Sequence, residues 1–250
     1  MIKHEEDTSL NKFISDTGFC SRREADKLIS GGRVTVNGIL PKLGNRVTIN
    51  DEILVDGKPL RTNQKPVYLA FNKPAGVTCT TDLKDPSNII EFLRYPGRIF
   101  PIGRLDKESE GLIFLTNDGN IVNKILRAGN NHQKEYLVTV NKLITEGFIK
   151  KMGNGVNILG TTTQKCFVKQ EAPYLFRIIL TQGLNRQIRR MCAAFRYKVT
   201  KLFRNRIMNI SIGELETGKW RYLSGAEILV INNLVASSVK TEEASKNISN

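Results

Sequence analysis

The stretch Ser21-Arg22-Arg23-Glu24-Ala25-Asp26-Lys27-Leu28-Ile29-Ser30-Gly31-Gly32-Arg33-Val34-Thr35-Val36-Asn37-Gly38 changes its period partway along. Ser21 and Glu24 have capping-box spacing, in which each side chain satisfies the other residue's backbone N–H. Ala25, Leu28 and Ile29 then fall on one helical stripe, and Gly31-Gly32 supplies a stop. From Arg33 onward the apolar residues recur at every second position, as Val34 and Val36, and meet Asn37-Gly38. That dipeptide suits a type I′ hairpin turn, because both central residues need positive φ. A helix followed directly by a hairpin strand predicts a small α-β unit.

Upstream, Ser9 is a plausible N-cap for a short helix carrying Leu10, Phe13 and Ile14, which Gly18 ends. Downstream, Val47 to Val55 and a second turn at Asp56-Gly57 close the unit, and the chain turns polar before breaking at Pro66. The expected organisation is a disordered tail over 1–8, a small domain over 9–62, a linker over 63–66, a larger domain over 67–235 and a disordered tail over 236–250. In the larger domain, β-rich segments at 67–71, 111–116, 136–140, 176–180 and 198–203 alternate with helical candidates at 89–93, 119–126, 145–152 and 185–195. This pattern predicts an α+β fold built on a mostly antiparallel sheet.

The 250 residues hold 38 Lys+Arg against 24 Asp+Glu, a net charge of +14 that points to a polyanionic partner, nucleic acid first. No apolar stretch approaches the ~20 residues of a spanning helix, and the start lacks the apolar segment of a secretory signal, so a cytoplasmic protein without membrane contact is expected. The 4 cysteines lie at wide, irregular intervals and the 2 histidines are His4 and His132, a poor basis for a metal site, a disulfide framework or histidine-dependent catalysis. Phosphate-binding glycine loops for nucleotide cofactors are missing too.

Two segments carry chemistry. Between Ala172 and Gly213 there is no Asp or Glu, against a run of cations that includes Arg177, Arg186, Arg189, Arg190, Arg204 and Arg206. Arginine at that density suits phosphate contact and stacking on exposed bases. On a helix over 185–195, Arg186, Arg189 and Arg190 would share one side and repel unless an anion intervenes, either a carboxylate from elsewhere or a nucleic-acid backbone. The second segment is Pro101-Ile102-Gly103-Arg104-Leu105-Asp106-Lys107-Glu108-Ser109-Glu110-Gly111, where Asp106 stands in a polar loop before the apolar run Leu112 to Leu115. Loop aspartates are more often turn formers or caps than catalysts, so this position alone decides nothing.

Leu10 to Phe13, Ser21 to Ala25 and Gly32 to Gly38 together resemble the S4 RNA-binding domain. The resemblance implies that Arg22, Arg23, Lys27 and Arg33 contact RNA. The unit's own charge nearly cancels, so a merely solvated helix face is the competing reading. Asn72-Lys73-Pro74-Ala75-Gly76, Gly103-Arg104-Leu105-Asp106, Lys134-Glu135-Tyr136 and Gln182 to Met191 resemble, in order and spacing, the pseudouridine synthases of the RsuA/RluB/RluE/RluF branch. Cys79 to Asp82, Ile102 to Asn117, Asn123 to Asn130 and Lys134 to Val140 look most like the RluF-type members of that branch.

The resemblance implies isomerisation of a uridine in a 23S ribosomal RNA stem-loop, with a tRNA anticodon uridine as an additional substrate, and needs no cofactor or metal. It implies Asp106 as the catalytic carboxylate, Arg189 as its basic partner and Tyr136 as the aromatic residue that packs on the uracil. Ile188 walls the pocket on the same ground, while Arg104, Lys73, Arg186 and Arg190 bind substrate. The protein is expected to act as a monomer. A 16S rRNA isomerase and a noncatalytic RNA-binding assembly factor are the alternatives. The second has no need of Asp106, Tyr136 and Arg189 together.

Overall fold

A computed structural model of the chain describes residues 7–60, 65–126 and 131–236. It divides into two compact units, Met1–Pro66 and Val67–Asn250. The first unit runs β1 (Thr8–Ser9), α1 (Leu10–Asp16), α2 (Arg22–Ser30), β2 (Val34–Val36), β3 (Arg46–Val47), β4 (Ile53–Val55) and β5 (Lys58–Pro59). The capping box forms: Glu24 N donates to the Ser21 hydroxyl at 3.2 Å and Ser21 N to the Glu24 carboxylate at 2.7 Å. Leu10, Ile14, Ala25, Ile29, Val34 and Val55 meet in one core.

Asn37 and Gly38 turn with φ of 50° and 79°, and Val36 bridges Ile39 across them. The hairpin nevertheless stops there, and β2 pairs antiparallel with β4 instead. Ile39 and Leu40 are 72% and 62% exposed, so burial does not hold a second hairpin arm at that position. The turn at Asp56-Gly57 joins β4 to β5. Order begins earlier than the expected tail allows, because Thr8 pairs with Val47 and the Asp7 carboxylate accepts from Arg46 at 2.8 Å. Residues 1–6 of that tail, 63–64 of the expected linker and 237–250 of the C-terminal tail lie outside the described residues.

The second unit runs β6 (Tyr68–Lys73), α3 (Ile89–Leu93), β7 (Phe100–Ile102), β8 (Glu110–Thr116), α4 (Gly119–Leu126), β9 (Lys134–Val140), α5 (Glu146–Gly153), β10 (Asn157–Ile158), β11 (Thr161–Thr162), β12 (Phe167–Ala172), β13 (Leu175–Leu180), α6 (Gln187–Ala194), β14 (Val199–Ile207), β15 (Ile210–Ser211), β16 (Trp220–Tyr222) and α7 (Gly225–Ala236). Its 9-stranded sheet has the order β12, β13, β9, β14, β8, β6, β16, with β7 on β8 and β15 on β14. Neighbours pair antiparallel except at the central seam, where β14 meets β8 in parallel.

Leu112 and Phe114 face a core shared with α4 and α7, whereas Ile113 and Leu115 face another shared with α3. Burial on both faces explains the unbroken apolar run of β8. On the far side of the seam, α5 and α6 cover β9, β13 and β14 through Phe148, Met152, Met191 and Cys192. The Cys192 thiol is pushed up to about 12 by that burial. Among the described residues no helix is long and apolar enough to cross a membrane.

Candidate active site

A cavity of about 590 Å³ opens beside the seam, lined by the loop that follows β7, by the segment entering α6 and by side chains of β9 and β14. Asp106 reaches it from that loop, at a position with 27% of its side chain exposed. Two arginines converge on it. Arg186 Nη1 lies 3.5 Å and Arg189 Nε 3.6 Å from Asp106 Oδ2. Arg186 also grips Glu108 at 2.7 Å, and this hydrogen bond holds the Glu108 carboxyl below its usual range. The anions that relieve these arginines are therefore carboxylates of the Asp106 loop.

Arg189 is fixed from its far end. Its Nη2 donates to Ser109 Oγ at 3.2 Å and its Nη1 to Val199 O at 3.3 Å, while its buried Nε, facing Asp106, makes no hydrogen bond of its own. Nε therefore lies between two carboxylates, Asp106 at 3.6 Å and Glu108 at 3.8 Å. Ser109 N closes the loop onto Asp106 O at 3.0 Å.

Tyr136 stands opposite Arg204 in the β9–β14 ladder, and the Arg204 guanidinium lies 6.0 Å from the centre of its ring. Arg204 is 3% exposed; its Nε donates to Leu112 O at 2.6 Å and its Nη1 to Arg104 O at 3.4 Å, so one side chain ties β14 to β8 and to the loop. Tyr136 lines the cavity, and its hydroxyl has no hydrogen-bond partner among the described residues. Ile188 walls the same space, and the exposed Arg104 lines it from the loop.

Three expectations need correction. Lys73 is 0% exposed and does not line the cavity; its ammonium donates to Pro74 O, Val77 O and Lys107 O at 2.8, 2.9 and 3.3 Å. It is a strut beneath the loop, because a buried ammonium needs acceptors and three carbonyls supply them. Arg186 is not in the helix: it is the N-cap of α6, in a left-handed conformation. Arg190 turns back onto Asn185, donating to its carbonyl at 3.1 Å, and does not line the cavity. The arginines thus do not form one helical stripe. In the first unit Arg22, Arg23 and Lys27 are exposed on α2, whereas Arg33 is held by Asp56 at 2.8 Å.

Sequence reasoning missed Arg204 and Lys134 as cavity residues. Lys134 shares a face of β9 with Tyr136, two residues away, which was a usable signal. It is 7% exposed, its ammonium has one long bond to His132 O at 3.4 Å, and burial lowers it from 10.5 to about 8, with the Arg204 charge adding to the effect. The unfolded chain holds this proton up to its ordinary value, whereas the folded chain releases it near 8. Between those values the unfolded state binds more protons, so stability rises with pH there. Relative to Lys134→Met, the wild type should gain roughly 3 kcal/mol between pH 8 and 10.5. Urea titrations of both proteins across that range check this, and parallel curves would refute it.

Comparison with known proteins gives the family. Residues 67–194 match the RNA pseudouridylate synthase family and residues 8–53 the S4 domain. The chain is 54% identical over 233 residues to the dual-specificity RNA pseudouridine synthase RluF of Salmonella typhi, covering 92% of this chain and 81% of that protein. It is 33% identical over 228 residues to ribosomal large subunit pseudouridine synthase B of Bacillus subtilis, covering 88% and 93%. A crystal structure of a pseudouridylate synthase superposes with a TM-score of 0.67 at 30% identity, over 89% of this chain and 99% of that one. The chain belongs to the RNA pseudouridylate synthase family and is an RNA pseudouridine synthase with an N-terminal S4 domain.

Proposed function

We propose that the enzyme isomerises one uridine of 23S ribosomal RNA, flipped from its stem-loop, with Asp106 as the catalytic carboxylate. The observation that carries this reading is that Asp106 and Tyr136 line one cavity beside the sheet seam, with Arg189 Nε 3.6 Å from the Asp106 carboxylate though not itself in the cavity wall. The reaction breaks the N1–C1′ bond, turns the detached uracil and joins C5 to C1′; the proton on C5 is released and N1 gains one. Asp106 acts at the ribose, by attack or by proton removal, and both courses need it ionised.

Tyr136 packs on the uracil, and its unpartnered hydroxyl suits acceptance of the C5 proton. Ile188 bounds the base. A paired uridine is out of reach, and eversion costs a few kcal/mol, which the exposed Arg104 at the cavity offsets in part. The S4 domain adds a second RNA contact through Arg22, Arg23 and Lys27, which raises the effective concentration of the right stem-loop. The name of the Salmonella typhi relative, dual-specificity, supports a second RNA substrate, which we read as a tRNA anticodon uridine. Substrates of this kind are met in the cytoplasm, where the protein acts as a monomer.

Pseudouridine mapping of 23S, 16S and transfer RNA in cells lacking the protein tests this reading. Loss of one 23S site, restored by the wild-type chain, is the expected result. A lost 16S site with 23S intact would transfer the activity to the small ribosomal particle, and no lost site in any RNA would end the proposal.

A further inference from the structure

A second cavity, of about 300 Å³, lies at the opposite end of α6 and has no part in the site described above. It is lined by Phe148, Lys151, Phe195, Arg196 and Tyr197. The rings form a shelf: Phe148 and Tyr197 lie 4.1 Å apart between centroids, and the Tyr197 hydroxyl is fixed to Leu143 O at 2.9 Å. Lys142 stands 5.7 Å from the Tyr197 ring centre and Lys151 5.9 Å from that of Phe195. Both ammonium groups are exposed, and each lies within cation–π reach of a ring of this shelf.

Arg196 adds a third cation at a left-handed position, φ 60°, just past the end of α6. Glycine takes that conformation at least cost, so an arginine there keeps its charge at the expense of backbone strain. Lys142, Lys151 and Arg196 make no ion pair among the described residues, although Glu146 begins the neighbouring helix. This sets them apart from Arg186 and Arg189, whose charges are met by Asp106 and Glu108. Three exposed cations gathered around one aromatic shelf without a counter-charge among the described residues suit an anion.

We propose that this shelf is a second RNA-binding site of the catalytic unit, one that takes the sugar–phosphate backbone and not the bases. The proposal rests on the reading of the chain as an RNA-modifying enzyme. Bases are disfavoured because Tyr197 already packs against Phe148 and carries Lys142. Phosphates fit because Lys and Arg cations meet them without sequence preference. The distance also suits one continuous RNA. The 8 residues of α6, which runs from one cavity to the other, span about 12 Å, a length that a strand covers in a few nucleotides at about 3.4 Å of axis each.

The test compares the full chain with its Lys142→Gln/Lys151→Gln/Arg196→Gln variant, measuring the salt dependence of binding to transcribed 23S rRNA and to a short hairpin, together with kcat at saturating RNA. On the long RNA the slope of log K against log salt should become shallower by about 2, at about 0.7 per lost phosphate contact. A hairpin whose stem reaches the shelf should lose slope in the same way, kcat should stay at the wild-type value, and Lys142→Arg/Lys151→Arg, which keeps the charges, should keep the slope. An unchanged slope on the long RNA overturns the proposal, as does a variant that binds RNA normally but loses an acidic protein partner. The slope is a binding measurement, so it stands even if the wild-type chain makes no pseudouridine in 23S rRNA, which would instead defeat the reading beneath it.

Discussion

Asp106→Asn is expected to cut single-turnover pseudouridine formation by on the order of 10² to 10⁴-fold while leaving RNA affinity and thermal stability close to wild type. The substitution keeps size and shape and removes the negative charge. Arg186 would still be held by Glu108 at 2.7 Å, and Arg189 by Ser109 and Val199 at 3.2 and 3.3 Å, so the loop keeps its other anchors. What disappears is an anion able to act at the ribose carbon or to take a proton from the sugar. Binding to a polyanion should not weaken, because the cavity loses a repelling charge. Mass-spectrometric quantification of pseudouridine in transcribed RNA, beside a binding titration of the same preparations, separates the two effects. A rate near wild type would remove Asp106 from the chemistry, and an equal loss of affinity and rate would make it a binding group.

Local signals were legible wherever the cause is local. The Ser21–Glu24 capping box, the left-handed pair Asn37-Gly38 and the apolar run of β8 each depend on neighbouring residues, and each stands in the structure as its spacing predicts. Pairing was less legible, because the partner of β2 is chosen by burial across the unit rather than by the turn that follows it. The edge strand β12 was hidden by polar Lys169, Gln170 and Glu171, since one of its sides has no neighbouring strand. Helix α7 carries a readable signal that sequence reasoning passed over: Ser224 and Glu227 form a capping box, and Arg221 holds Glu227 down to about 2.

In the candidate site, Asp106 and Tyr136 came from the family resemblance, and periodicity alone left both as ordinary residues. Lys73 was misplaced because a motif shows that a residue belongs to the site without showing which way its side chain points. Arg190 failed for a related reason: the helix begins at Gln187, so the i, i+3, i+4 rule does not extend to Arg186, and Arg190 is drawn back to Asn185. Arg204 was one cation among many in the sequence. Its role comes from the parallel seam, a contact between residues distant in the chain.

Gly111→Ala should destabilise the second unit by about 4 kcal/mol or more, because of that same seam. Gly111 pairs with Arg204 where β8 meets β14, at φ +103°, and an added Cβ would press into the Arg204 carbonyl oxygen and lie 2.7 Å from its nitrogen. Both are backbone atoms of a central strand, so no side-chain rotation can relieve the clash, and the strands must separate. Arg204 would then lose its grip on Leu112 O, and the Asp106 loop, which enters β8 just before Gly111, would shift relative to Tyr136 and Arg189. Activity should fall together with the urea midpoint. Gly76 supplies the contrast: at φ +89° an alanine meets no atom within 4 Å, so Gly76→Ala carries only conformational strain of about 1 to 2 kcal/mol. If denaturation curves give the two variants equal losses, the close approach at the seam is not what requires glycine. If Gly111→Ala is clearly the weaker, the contact between the two halves of the sheet limits both stability and the alignment of the site.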